Sequence, residues 1–208
     1  MLTLSQILAF LATALVLTAT PGPDNLMVLS MGISRGRRAG LVFGLGCALG
    51  CLSHTLLAVV GVSALVAASP LAFMALKAAG GAWLVWMGVQ AWRHAGQPSL
   101  PGSGGEAAPL RQLFVRGLVA NAINPKVVLF FLAFLPQFVV PGHGPVPLQL
   151  GLLGLLFTAQ AAVLFGLLGH HSGRVGAWLA RRPAVGPWLD RVAGTVFVGL
   201  GVRMMVAR

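Results

Sequence analysis

Acidic side chains are nearly missing from this chain: among 208 residues only Asp24, Glu106 and Asp190 carry a carboxylate. Only Asp24 lies well inside an apolar run, so paired intramembrane aspartates for hydrolysis are excluded. A divalent cation, which needs several oxygen ligands, finds a poor site. Charge of either sign is scarce, 8% of residues against roughly 25% in soluble domains, and a water-soluble reading fails on that ground. Cysteine is confined to Cys47 and Cys51, four apart within one apolar run, where a helix puts both on one face without disulfide geometry. Ser53 and His54 are adjacent and so point about 100° apart on a helix, which excludes a Ser–His dyad. A G-x-x-x-x-G-K-[ST] phosphate loop is absent too. The expectation is a protein that is not an enzyme and carries no cofactor and no resident metal.

What the sequence has in abundance is apolar length. Hydrophobic residues make up 57% of it and the mean hydropathy is +0.89. A hydrocarbon core about 30 Å thick takes about 20 apolar residues per helix. Six runs qualify: Leu4 to Ile33, Leu41 to Ala67, Pro70 to Trp92, Leu113 to Val140, Val146 to Gly169, and Pro187 to Val206. The first has no Lys or Arg before it and is followed by more apolar sequence, so it reads as a retained span and not as a signal peptide. These runs predict an all-α integral membrane protein of about six transmembrane helices, forming one domain over residues 1–208. The stretch from His94 to Pro109 is the one of linker composition and divides the chain nearly in half.

The cations sit between the apolar runs. Arg35, Arg37 and Arg38 follow the first span, Arg93, Arg111 and Arg116 flank the central loop, and Arg174, Arg181, Arg182 and Arg191 flank the loop before the last span. The loops near Ser69 and from Pro141 to Pro145 have none. The net charge of +11 is therefore loop charge, which argues against nucleic acid as a partner. Lys and Arg mark cytoplasmic loops, so both termini are expected in the periplasm, with Arg203 and Arg208 weighing against it.

The halves also echo each other. Lys77-Ala-Ala-Gly80 followed by Trp83 matches Arg191-Val-Ala-Gly194 followed by Phe197, and Pro23-Asp24 in the first span is answered by Pro125-Lys126 in the fourth. Three spans per half would invert the second relative to the first, a common design of secondary transporters. The expectation is two inverted three-helix repeats, residues 1–93 and 111–208, joined by a cytoplasmic linker at 94–110, with helices 1 and 4 broken at prolines.

Those breaks carry the candidate site. In Thr20-Pro21-Gly22-Pro23-Asp24-Asn25 two prolines remove backbone donors, and the carbonyls so freed must be satisfied by protein or an internal cavity. Asp24 costs about 2.5 to 3.5 kcal/mol at mid-membrane, and such residues usually face a pathway or a partner. A structural kink with Asp24 capping the second half-helix is the plainer alternative. Asn121-Ala-Ile-Asn124-Pro125-Lys126 repeats the combination of a proline break, amides and a buried charge. Snorkelling is one role for Lys126, but from near mid-span its reach to either interface is poor, so pairing with Asp24 or with a substrate is the expectation. If the breaks meet, a carboxylate, an ammonium and two half-helix N-termini share one cavity, which suits a zwitterion.

Cys47, Cys51 and His54 follow i, i+4, i+7 spacing, yet three ligands from one helix make a weak metal site. The cysteines read as small packing residues beside Gly36, Gly40, Gly44, Gly46 and Gly50, while His54 either packs or lines the pathway. His170 and His171 read as interfacial.

In these residues the sequence resembles the LysE/RhtB family of amino-acid exporters. The resemblance rests on Pro21-Gly-Pro23, Ser34-Arg-Gly-Arg-Arg-Ala-Gly40, Gly50 with His54, and Asn124-Pro-Lys126 leading to Phe134-Leu-Pro-Gln-Phe138, in order over nearly the whole chain. It implies efflux of amino acids or related metabolites, driven by proton antiport, from an inverted-repeat bundle in the bacterial inner membrane. Many members have an acidic residue where this chain has Cys51. The leading expectation is a secondary-active exporter of neutral amino acids or similar zwitterions, since a dibasic substrate would want a second buried carboxylate. Its partners are the amino acid or an analogue, protons and membrane lipid, and a homodimer is compatible with the sequence. A cation or metal-ion exporter is the alternative. The candidate binding or coupling residues are Asp24, Asn25, His54, Asn121, Asn124 and Lys126.

Overall fold

The computed structural model describes residues 2–62, 64–65, 69–96, 108–140 and 142–206. Most of the expected linker, with Glu106, lies outside the described residues, as does Arg208.

Helix α1, Leu4–Ala19, starts where its sequence supplies a cap. The Thr3 hydroxyl accepts from the Gln6 N–H, and the Gln6 amide oxygen accepts from the Thr3 N–H, both at 3.2 Å. It ends at Thr20, held extended by the proline that follows. Gly22 is extended as well, and Pro23 opens α2, Pro23–Arg35, at a position where no N–H is needed. The two helices make one apolar unit bent by 57°. The fourth span behaves alike. Helix α5, Leu110–Ala122, stops before Asn124, whose side-chain oxygen accepts from the Lys126 N–H at 3.0 Å and starts α6, Pro125–Leu129. A π turn, Phe130–Phe134, and a 3-10 turn, Leu135–Phe138, extend α6, and this unit is bent by 50°.

Between them α3, Arg37–Leu57, continues into a π turn, Ala58–Val62, and α4 spans Pro70–Arg93. Helix α7 covers Val146–His170, α8 Ser172–Ala180, and α9 Val185–Val206. No strand occurs among the described residues. Among the described residues three helices are long and apolar enough to cross a bilayer, or up to five if each bent pair is one span. The sixth expected span forms α9 but is not among them, because Asp190, Arg191 and Arg203 interrupt its apolar run. Helix α8 was not foreseen from the sequence, where its residues read as charged loop.

Helix α3 is the hub, packed against α5 on one side and α7 on another. A Cβ on Gly46 would lie 2.2 Å from the Phe114 carbonyl oxygen, and one on Gly117 would lie 2.2 Å from that of Phe43. Gly40 and Gly44 meet α7 backbone in the same way, so the small-residue packing expected of these positions holds. Gly36 differs: it has nothing within 4 Å and a φ of +87, so it is the hinge between α2 and α3 and not a packing residue. Helices α4 and α9 cross antiparallel, Gly81 against Gly201 and Gly88 against Gly194. Phe10, Phe130, Phe131, Phe134 and Phe157 fill the centre. Buried Gln149 closes the loop before α7, donating to Val140 O at 3.0 Å and Gly144 O at 3.1 Å while accepting from Val140 N at 3.1 Å and from the Gln6 amide.

Candidate functional site

The two proline breaks meet, and each satisfies the other. At the first, Pro21 and Pro23 end the ladder and leave the Thr20 carbonyl without a helical partner. The Lys126 ammonium of the second break donates to that carbonyl at 2.9 Å. In return, Asn121 at the end of α5 donates its side-chain N–H to Asp24 Oδ2 at 2.7 Å. Asp24 and Lys126 are each only 5% exposed. The direct pairing of the two charges that the sequence left open is not what forms: among the described residues each is bound to a neutral group of the opposite break. The reason is geometric, since the freed Thr20 carbonyl and the Asn121 side-chain amide stand at hydrogen-bond distance from the two charges.

Asn25 turns back on its own break, donating to Thr18 O at 2.9 Å. Asn124 has its oxygen engaged as the α6 cap, while its Nδ2 is buried and, among the described residues, unpartnered, as is Asp24 Oδ1. Lys126 Nζ also lies 5.2 Å from the Phe197 ring centroid, close enough for a cation–π contact.

His54 stands one layer behind. Its Nε2 is 3.0 Å from the Asn121 carbonyl oxygen, which can only accept, so Nε2 carries the proton; Nδ1 is buried without a partner. The ring leans on Phe131 at 5.6 Å. His54 therefore holds the backbone of Asn121 and does not line the cavity. Cys51 donates to the Asn121 side-chain oxygen at 3.5 Å, so Asn121 is fixed by α3 through both its backbone and its amide. No group of three metal-binding side chains converges among the described residues.

The cavity between the breaks is lined by Asp24, Asn25, Asn121, Asn124 and Lys126 on its polar side and by Leu17, Val127, Phe157 and Phe165 on its apolar side. Its volume is about 20 Å³, room for about one water and not for an amino acid. In this state the site is closed, and the helices must part for a larger ligand. Gly22 permits the closure, since a Cβ there would stand 3.2 Å from Lys126 Nζ. Two participants escaped the sequence reading. Gln160 on α7 donates to the Thr18 hydroxyl at 2.7 Å, and a lone amide inside an apolar run was its available signal. Thr20 contributes a main-chain atom, which no side-chain pattern reports.

The family model for LysE type translocators matches residues 15–208. An uncharacterized membrane protein of Vibrio cholerae is 33% identical over 203 residues, 97% of each chain. The homoserine/homoserine lactone efflux protein of Salmonella typhimurium is 31% identical over 200 residues, 96% of each. The threonine efflux protein of Escherichia coli K12 is 26% identical over 212 residues, 98% of this chain and 100% of its own. No solved structure matches. With a bundle of apolar helices bent at two facing proline breaks, and a match over all but its first residues, this chain belongs to the LysE family of membrane translocators.

Proposed function

We propose that this protein exports neutral amino acids or closely related small zwitterions across the bacterial inner membrane, by proton antiport, with the breaks at Pro21–Asn25 and Asn121–Lys126 as the binding site. The observation that carries the reading is the donor set left open in the cavity. Among the described residues Asp24 Oδ1 is a buried carboxylate oxygen without a partner, and Asn124 Nδ2 is a buried donor without one. An ammonium suits the first, and a carboxylate suits the second together with Lys126. One carboxylate, three amides and an ammonium are a poor ligand set for a divalent cation. The homoserine and threonine efflux proteins among its relatives support an amino-acid substrate. The test is efflux from cells loaded with single amino acids: expression should speed loss of one or more neutral amino acids, and unchanged rates across the whole neutral panel would refute the reading.

Uphill export needs an input, and the chain offers no nucleotide loop. One charge crossing 100 mV yields about 2.3 kcal/mol, enough for about a fiftyfold gradient. Collapse of the proton gradient and potential together is therefore expected to abolish accumulation outside. Uphill efflux that continues after full collapse would rule antiport out.

The fold that serves this function is taken to be two inverted three-span repeats, with α9 as the sixth span. Supporting this, the third spans of the two halves, α4 and α9, pack antiparallel on each other, and the two broken spans complete one another. The Lys/Arg asymmetry then puts both termini in the periplasm. In intact cells an impermeant thiol reagent should label Pro145→Cys strongly and His94→Cys weakly, native Cys47 and Cys51 being buried. The reverse pattern would invert the topology.

A further inference from the structure

At the end of the bundle opposite the Pro145 loop, two adjoining depressions of about 410 and 470 Å³ share Arg37 and His170 as lining residues. His171 and Arg174 also line the first, beside small residues of α2 and α8, while Arg38 completes the second together with Leu41, Val42 and Leu110. Arg37, Arg38 and Arg174 are exposed, and among the described residues no carboxylate lines either depression. The described acids are engaged elsewhere: Asp24 is buried between the breaks, and Asp190 accepts from the Gly96 N–H at 3.1 Å. Among the described residues no side chain caps α3, so its positive N-terminal end adds to the field.

Depth separates the polar and apolar parts. Arg37 and Arg38 open an apolar stretch of 25 residues, Arg37–Gly61, and so mark the membrane boundary. Leu41 and Val42 follow one turn later, about 5.4 Å deeper. Cations at the boundary with an apolar groove directly beneath match a negatively charged headgroup with an acyl chain below it. A free phosphate would use only the upper part.

We infer that this face is a binding site for an anionic phospholipid, its phosphate held by Arg37, Arg38 and Arg174 and its acyl chain laid along Leu41, Val42 and Leu110. The site is separate from the cavity between the breaks and does not depend on what the protein exports. The lipid bridges α3, α5 and α8, three elements that the basic charges alone would push apart.

The test uses the full chain, purified in detergent and depleted of native lipid, then offered phosphatidylglycerol, phosphatidylethanolamine or inorganic phosphate. Native mass spectrometry and thermal unfolding report the result. Phosphatidylglycerol should remain as a bound adduct and raise the unfolding midpoint, phosphatidylethanolamine should be retained about tenfold less, and inorganic phosphate should not stabilise. Arg37→Gln with Arg174→Gln should lower phosphatidylglycerol retention about tenfold. Arg181→Gln with Arg182→Gln removes the same charge elsewhere and should leave retention unchanged. Equal retention of the two lipids, equal stabilisation by inorganic phosphate, or equal loss in both double variants would overturn the site. The wild-type arms need no variant, so the question is decided even if the Arg37 variant does not fold.

Discussion

Asp24→Asn is expected to lower export per protein molecule at least about thirtyfold while leaving the protein in the membrane. The exchange keeps the shape of the side chain, and the Asn121 amide keeps an oxygen to bond, so the helix break should hold. What is lost is the charge that faces the substrate ammonium in a low-dielectric cavity, and truncating one partner of such a pair costs about 2 to 5 kcal/mol. Lys126→Gln should be comparably inactive for the opposite end of the zwitterion, its amide still able to donate toward the Thr20 carbonyl. The double variant distinguishes roles. If the charges only hold the breaks together, each single change strands the other charge, abundance falls, and the double change restores it with near-normal export. If they bind substrate or protons, all three variants reach the membrane and none exports. The second outcome is expected, because neither charge uses the other as its partner: each is already held by a neutral group from the facing break. Export normalised to membrane protein separates the two, and near-normal export by both single variants would remove the proposed site.

The elements of this site were legible because proline and charge in an apolar run leave few physical options. Pro21, Pro23 and Pro125 had to interrupt helices, and Asp24 and Lys126 were too costly to face lipid; that Asn124 caps the second half-helix was not foreseen. The partnerships were not legible. Thr20 takes part through its backbone, and Asn121 acts through three different atoms toward Asp24, Cys51 and His54. Nothing in local spacing selects among such long-range pairings. His54 illustrates the limit: its place on the face of Cys47 and Cys51 was readable, but whether it lined the cavity depended on where Asn121 would lie. The helices behind the first five runs were readable from apolar length, and the sixth run also forms a helix, α9, whose three charges set it apart from the others. Gly36 shares a four-residue spacing with Gly40 and Gly44, and its positive φ and open surroundings separate hinge from packing.

The position of Asn121 depends in turn on how closely α5 approaches α3, which gives the prediction with the second largest effect. Gly117→Ala should lower the unfolding midpoint by at least about 6 °C and reduce the amount of folded protein. The added methyl would stand 2.2 Å from the Phe43 carbonyl oxygen and 3.1 Å from the Cys47 nitrogen. Both obstacles are backbone, so no side chain can turn aside. Overpacking usually costs about 1 to 3 kcal/mol, each worth about 2 to 4 °C at this chain length, and a backbone obstacle puts this case at the upper end. Gly46 makes the reciprocal contact with Phe114, so the helices cannot tilt about one point to escape. Gly166→Ala is the control, because nothing lies within 4 Å of its Cβ and the change gains helix propensity of up to about 1 kcal/mol. A midpoint within a degree of wild type for Gly117→Ala would show that the approach of α3 and α5 is looser than this geometry. If it is as tight as described, Gly117→Ala loses export in proportion to lost protein, whereas Asp24→Asn loses export with protein retained. The two variants thus separate the scaffold that positions Asn121 from the charge that Asn121 holds.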